Sequence, residues 1–378
     1  MNQIIIFIFS FLLINSTLYS KTGIINEDNR MIIKYPEENK YTQLKKVGLI
    51  SISHLNNTVI SYCSGTLIGK NIVLTAAHCF YDPEKNELSN GKVIFTLQSS
   101  GDHLPFGIEI AKKYYIPNSF FKNVIEMRGM ISKEQMENDF AFLILNNNIG
   151  EEHGWHGLSY NHEDDAPEEF FVSLLSYPFS KNKKMTFEKC SVYNETLYGN
   201  SGYFSMNCDI EKGSSGASVI NKDNKVIGVV SGMGKYSNFA YRFSSESFNL
   251  IRNWIKGIVE ENSTYSVDLF QNNNYQLTFI NKCDKTISFA YRVEKKDNWN
   301  TDGLFILKQN EKMTIKNIIN SKYYYYGKLY KNKIQGEWKG KYKFLLSDYN
   351  KKYPFERQFI TNEDDRITSS HTHYFRCD

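Results

Sequence analysis

Three short stretches carry side chains whose types and order could do chemistry. Gly213-Ser214-Ser215-Gly216-Ala217 lies between apolar, strand-like runs at 202–209 and 218–230, which places a serine pair on a glycine-flanked turn. A serine hydroxyl is a weak nucleophile and needs a base to take its proton. Val73-Leu74-Thr75-Ala76-Ala77-His78-Cys79 supplies an imidazole, and Asn138-Asp139, opening the apolar run 140–145, supplies a carboxylate that could hold that imidazole in one tautomer. The flanking glycines allow unusual backbone angles, so that successive N–H groups can converge on a developing oxyanion. Taken singly, each stretch is ordinary: glycine and serine crowd into turns, and a lone histidine beside an apolar run is more often a packing residue.

The combination is less ordinary. Thr75-Ala76-Ala77-His78-Cys79, then Asp139-Phe140-Ala141, then Gly213-Ser214-Ser215-Gly216-Ala217, in the order His, Asp, Ser, resembles the chymotrypsin-like (trypsin-like) serine peptidases. Cys208-Asp209 ahead of the serine turn, and Gly154-Trp155 after the aspartate, are most similar to the bacterial-type branch that includes the glutamyl endopeptidases. The resemblance covers residues 46–260. It implies an all-β fold of two six-stranded antiparallel barrels closed by a C-terminal helix, and a protein or peptide substrate cleaved without metal or cofactor. It implies His78 as base, Asp139 as its partner and Ser215 as nucleophile, because the reactive serine of the family stands before Gly216. The N–H groups of Gly213 and Ser215 would form the oxyanion hole. The stretch 228–234, with Ser231, Gly232 and Met233, resembles the strand that pairs with substrate, and Ser231 would hydrogen-bond near Asp139.

Specificity is less legible. Asp209 stands six residues before Ser215, where trypsin-type enzymes carry the carboxylate that binds Arg or Lys. Yet Met233 and Phe239 argue for a narrower pocket, and no histidine lies on 228–243 to bind an acidic side chain. Basic and small or apolar P1 preferences remain open, with acidic behind them. An Asp209 engaged in structural hydrogen bonds is the alternative. Ser214 occupies the position of the aspartate that pairs with a new N-terminus in the trypsin branch, and a hydroxyl is a poor acceptor for that ion pair, so activation by α-amine insertion is not expected. In the resembled family a pair such as Cys63 and Cys79 clamps the histidine loop; Cys190 and Cys208 bracket a hairpin ahead of the serine, leaving Cys283 and Cys377.

These groups have to be positioned by the rest of a 378-residue chain, long enough for more than one domain. The net charge of +4 is spread along the sequence with no basic tract, which argues against a nucleic-acid partner. Residues 4–14 form an apolar run too short to span a bilayer comfortably, read as a signal peptide ending near Ser20; no other run is long and apolar enough to cross. Six cysteines agree with export to an extracellular or periplasmic compartment. Residues 21–45 read as a propeptide or surface arm. Short apolar runs broken by turn signals from 47 to 243 predict β-strands, with Asp82-Pro83 and Asn90-Gly91 marking turns and an acidic crossing at 163–165.

Phe248, Ile251, Trp254, Ile255 and Ile258 recur at helical spacing, with Ser245 or Ser247 available as the cap. The peptidase region therefore spans 46–262. Residues 263–378 return to short alternating runs rich in Tyr, Phe, Lys and Asn, which predict an accessory β-sandwich-like domain. Period two predicts that half of the rings of Tyr323 to Tyr326 face outward, where they could meet a carbohydrate or protein ligand. Two rival readings are weaker. A Ser, Asp, His order using Ser215, Asp364 or Asp365, and His371 or His373 would suit an α/β-hydrolase, but only one helix is legible. A secreted binding protein on a peptidase-like scaffold would place the function in the C-terminal domain.

Overall fold

The structure is a computed structural model that describes residues 23–33, 46–53, 59–82, 85, 87–101, 104–121, 136–160, 168–194, 202–234, 236–269, 275–295, 298–330, 337–346, 349–359 and 370–377. The apolar run at 4–14, the acidic crossing at 163–165 and the pair Asp364 and Asp365 lie outside these residues. Six antiparallel strands, Val47–Ser53, Val59–Leu67, Ile72–Thr75, Val93–Leu97, Glu109–Pro117 and Ala141–Leu145, close the first barrel. Six more close the second: Glu169–Ser176, Thr186–Asn194, Tyr203–Met206, Ser218–Ile220, Lys225–Gly232 and Asn238–Arg242. Parallel strands alternating with helices, which an α/β-hydrolase requires, are not the pattern of the described residues. Among them, no helix is long and apolar enough to cross a membrane.

The two barrels share one apolar core. Val47, Leu74, Phe142 and Leu143 of the first are buried in the same cluster as Leu175, Tyr177, Phe187, Val229 and Tyr241 of the second. A cleft above such a seam has rigid walls on both sides. The helix Ser245–Ile255 braces it. Its cap is Ser244, one residue before the serines that the sequence suggested: Ser244 Oγ accepts the Ser247 N–H at 3.2 Å while Ser247 Oγ accepts the Ser244 N–H at 2.9 Å. That reciprocal pair satisfies two N-terminal donors at once, which neither Ser245 nor Ser247 could do alone. Trp254, 2% exposed, packs its ring on Phe140 and Phe142 and donates Nε1–H to Thr264 Oγ1 at 2.9 Å. Ile255 and Ile258 stay largely exposed.

Strand Thr264–Asp268 adds to the free edge of Glu109–Pro117, and the chain then builds two further sheets. One joins Tyr275–Asn281, Lys312–Ile318 and Ser370–Phe375; the other orders Asn298–Leu307, Ile287–Lys295, Lys322–Leu329, Lys351–Phe359 and Tyr342–Leu346. They rest directly on the first barrel. Period two sends Phe95 and Ala111 into the barrel core and their neighbours Ile94 and Ile110 into a second core with Phe279, Phe289, Tyr323 and Phe375. Each isoleucine so covered contributes about 1.5–3 kcal/mol.

Both faces of the larger sheet are occupied, which corrects the expectation for the tyrosine run. Tyr323, Tyr325 and Tyr326 are buried and Tyr324 is half-buried, because Tyr326 packs with Ala290, Leu346 and Phe355 on the face opposite Tyr323 and Tyr325. His373 is half-buried there, 3.0 Å from the Tyr323 hydroxyl, and desolvation, then the nearby His371, push its imidazole down to about 3. Disulfides join Cys63–Cys79, Cys190–Cys208 and Cys283–Cys377.

Candidate active site

Asp139 sits at the mouth of strand Ala141–Leu145, anchored by Phe140, which is 1% exposed and stacked on Tyr241 at 4.9 Å. The carboxylate is fully buried, and a bare buried charge would be costly. Three donors compensate it. His78 N–H reaches Oδ1 at 2.9 Å, His78 Nδ1 lies 2.6 Å from Oδ2, and Ser231 Oγ–H donates to Oδ2 at 2.5 Å. A carboxylate only accepts, so Nδ1 carries the proton and the neutral ring keeps its lone pair on Nε2. His78 itself rides on the 3₁₀ turn Ala77–Phe80, pinned by the Cys63–Cys79 bridge and by Phe80 stacked on Tyr114 at 4.2 Å. Its side chain is 19% exposed, open on one side to the cleft.

The serine pair divides cleanly. Ser214 is fully buried, its hydroxyl donating to Ser176 Oγ at 3.3 Å and accepting the Glu211 N–H, whereas Ser215 is half-exposed. Gly213 (φ +94°) and Gly216 (φ +81°) make the turn, and neither tolerates a Cβ: one would fall 2.3 Å from Tyr177 O, the other 2.1 Å from Thr75 Oγ1. The second contact also seats the turn against Thr75, three residues before His78, so segments 141 positions apart meet here.

Peptide planarity then aims the donors. In a trans peptide the N–H points away from the C=O, so anchoring the carbonyl orients the N–H. Lys212 O accepts the Phe179 N–H at 2.9 Å, which turns Gly213 N–H away from Phe179; Ser214 O accepts the Ala217 N–H at 3.0 Å, which does the same for Ser215 N–H. Among the described residues these two N–H groups have no partner. Ser64 locks the arrangement. Its Oγ–H donates to Gly213 O at 2.8 Å and accepts Tyr177 N–H at 2.9 Å, and its N–H donates to Ser215 O at 2.7 Å. Sequence reasoning missed Ser64; its one signal is adjacency to Cys63.

Asp209, read from the sequence either as a pocket carboxylate or as a structural one, lies apart from these groups. It is fully buried, and its two oxygens accept the N–H groups of Ile25 at 2.7 Å and Asn29 at 2.9 Å. Residues 23–33, expected to be a propeptide or surface arm, are built into the second barrel: Gly23 O accepts from Ile210 N and Asn238 Nδ2, and Met31–Ile32 pairs with Phe187 and Thr186. Glu188 accepts the Asp209 N–H at 2.9 Å, and burial followed by the Asp209 charge pushes its carboxyl up to about 8. No local pattern announced its docking, since the partners on the barrel lie more than 150 positions away. Gly232 follows Ser231 at a bulge opposite Phe239, and Met233 projects 43% exposed beside it.

The trypsin family profile matches residues 49–255. The glutamyl endopeptidase of Bacillus licheniformis is 23% identical over 249 residues, spanning 62% of this chain and 70% of the relative. A solved structure of a Glu endopeptidase in complex with MPD, 19% identical, covers 62% of this chain and 99% of its own with a TM-score of 0.50. The likeness to the solved structure concerns the fold alone, two barrels around a seam. With the profile spanning more than half of its length, the chain belongs to the trypsin family and is a serine-type endopeptidase.

Proposed function

We propose that Ser215, His78 and Asp139 hydrolyse peptide bonds through an acyl-enzyme. Ser215 Oγ bonds to the scissile carbonyl carbon while His78 Nε2 takes its proton; the carbonyl oxygen becomes an oxyanion facing Gly213 N–H and Ser215 N–H. His78 then returns the proton to the leaving nitrogen as the C–N bond breaks, and water repeats the sequence to release the acid. Asp139 holds the imidazole and stabilises its charged form. The observation that carries this reading is the Asp139 carboxylate, buried yet engaged by His78 and Ser231, with a half-exposed Ser215 on the turn seated against Thr75. The reading of a mere binding scaffold has no comparable support.

Export into an oxidising compartment is part of the proposal, supported by the three disulfides. For P1 we favour small or apolar side chains: the Asp209 carboxylate is spent on backbone amides, and Met233 narrows the approach. The glutamyl specificity that the relative's name declares has no histidine on 228–243 to support it here. Labelling with a fluorophosphonate probe tests the reading. Label on Ser215, lost in both Ser215→Ala and His78→Ala, is expected; label on Ser214, or undiminished label in His78→Ala, would sink it.

A further inference from the structure

Arg30 is the most unusual residue of the second barrel that hydrolysis does not yet employ. Its side chain is 2% exposed. Nε and Nη2 grip Asp28 at 2.8 and 3.0 Å, and Nη2 also reaches Glu211 Oε2 at 3.5 Å. Nη1 is buried without a hydrogen-bond partner among the described residues. Buried ion pairs seldom add net stability, and an unmet N–H makes this one poorer still. Stability alone is thus a weak reason for a guanidinium at this place, and its second partner suggests a better one.

Glu211 opens the turn that carries the oxyanion donors. Its backbone O accepts the Ser214 N–H at 2.9 Å, its N–H donates to Ser214 Oγ at 3.3 Å, and its Oε1 accepts the Ser180 N–H at 2.6 Å. Ser180 follows Phe179, whose N–H fixes the Lys212 carbonyl and hence the aim of Gly213 N–H. Glu211 therefore touches both the turn and the strap that orients it. The charge on its far oxygen faces Arg30 from the N-terminal arm.

We propose that Arg30 is a positioning residue for peptide hydrolysis: through Glu211 it holds the 211–215 turn in the geometry that aims the Gly213 and Ser215 N–H groups. This rests on the oxyanion-hole reading above. Asp28, by contrast, ties Arg30 to the arm and to Lys181 Nζ at 2.7 Å without touching the turn.

The test compares Arg30→Ala, Arg30→Lys, Glu211→Gln and Asp28→Asn in the full chain, measuring kcat and KM on a short peptide, with thermal unfolding beside them. Deleting one oxyanion donor costs about 10²–10³-fold, so a donor misaimed by loss of Arg30 should cost about 10–100-fold in kcat with KM little changed. Added guanidinium should restore part of it in Arg30→Ala, and Arg30→Lys should fall between, since an ammonium lacks the planar fork. Glu211→Gln should share the kcat loss even if Arg30→Ala does not fold, whereas Asp28→Asn should lower the unfolding temperature and spare kcat. Unchanged kcat in Arg30→Ala or Glu211→Gln, or an equal kcat loss in Asp28→Asn, would overturn the proposal. Fluorophosphonate labelling of the wild type, with Ser215→Ala as control, separates this failure from a failure of the hydrolytic reading itself.

Discussion

Ser64→Ala removes one oxygen and tests whether the oxyanion turn is held from the first barrel. The Ser64 side chain is fully buried, accepts Tyr177 N–H at 2.9 Å and donates to Gly213 O at 2.8 Å. Alanine leaves a buried N–H and a buried C=O unpaired, each costing about 1–3 kcal/mol, for a total of about 2–6 kcal/mol if no water enters. The Ser64 backbone is unchanged, so its N–H still holds Ser215 O and keeps Ser215 in place. What loosens is the Gly213–Ser214 peptide plane, which links the two planes that carry the Gly213 and Ser215 N–H groups. Removing an oxyanion donor outright costs about 2.7–4 kcal/mol in the barrier; a donor left present but less well aimed should cost about half that, near tenfold in kcat. Urea unfolding and steady-state kinetics on a short peptide measure the two quantities separately. Wild-type stability together with wild-type kcat in Ser64→Ala would refute the reasoning, because it would mean the turn keeps its geometry without the Ser64 hydroxyl.

Other outcomes follow from the same geometry. Asp139→Asn should keep the fold but lose about 10⁴-fold in kcat, since the amide admits the wrong tautomer of His78; circular dichroism and kinetics check it. Asp209→Asn should cost about 1.5–3 kcal/mol, because the Ile25 and Asn29 amides lose a charged acceptor, without changing P1 preference in a peptide-library profile; a selective collapse at Arg and Lys would show that substrate reaches it. Glu109 is buried, and burial lifts its carboxyl from the ordinary 4.5 to about 7 against the opposing Asn147 hydrogen bond. At this carboxyl the folded chain thus binds more protons than the unfolded one between pH 4.5 and 7, so its contribution to stability falls by about 3 kcal/mol as pH rises through that window and then levels off. Glu109→Gln should remove that slope in urea unfolding at several pH values.

How much was legible depended on how local the cause was. The strands, the closing helix and the order of His78, Asp139 and Ser215 are written in short patterns: apolar runs with turn signals, a 3.6-residue period, a glycine-flanked serine. Each is decided by residues within a few positions of one another, so a linear reading finds it. The helix cap was missed by one position because serines at 244, 245 and 247 are all plausible until the reciprocal bonds of Ser244 and Ser247 are seen.

Tertiary structure alone decided the rest. Two serines of equal chemistry became different because one points into a core and the other into a cleft. Asp209 carries the offset of a pocket carboxylate, but offset along a chain does not determine what fills the space before it; the amides of Ile25 and Asn29 arrive from 184 and 180 positions away. The four tyrosines from 323 alternate as a strand should, yet three are buried because sheet packing covers both faces. Sequence by itself determined which reactive groups this protein has and the order in which they come. Which of them are exposed, charged and correctly aimed was settled by long-range contacts, since burial and hydrogen-bond direction are properties of neighbours in space and not along the chain.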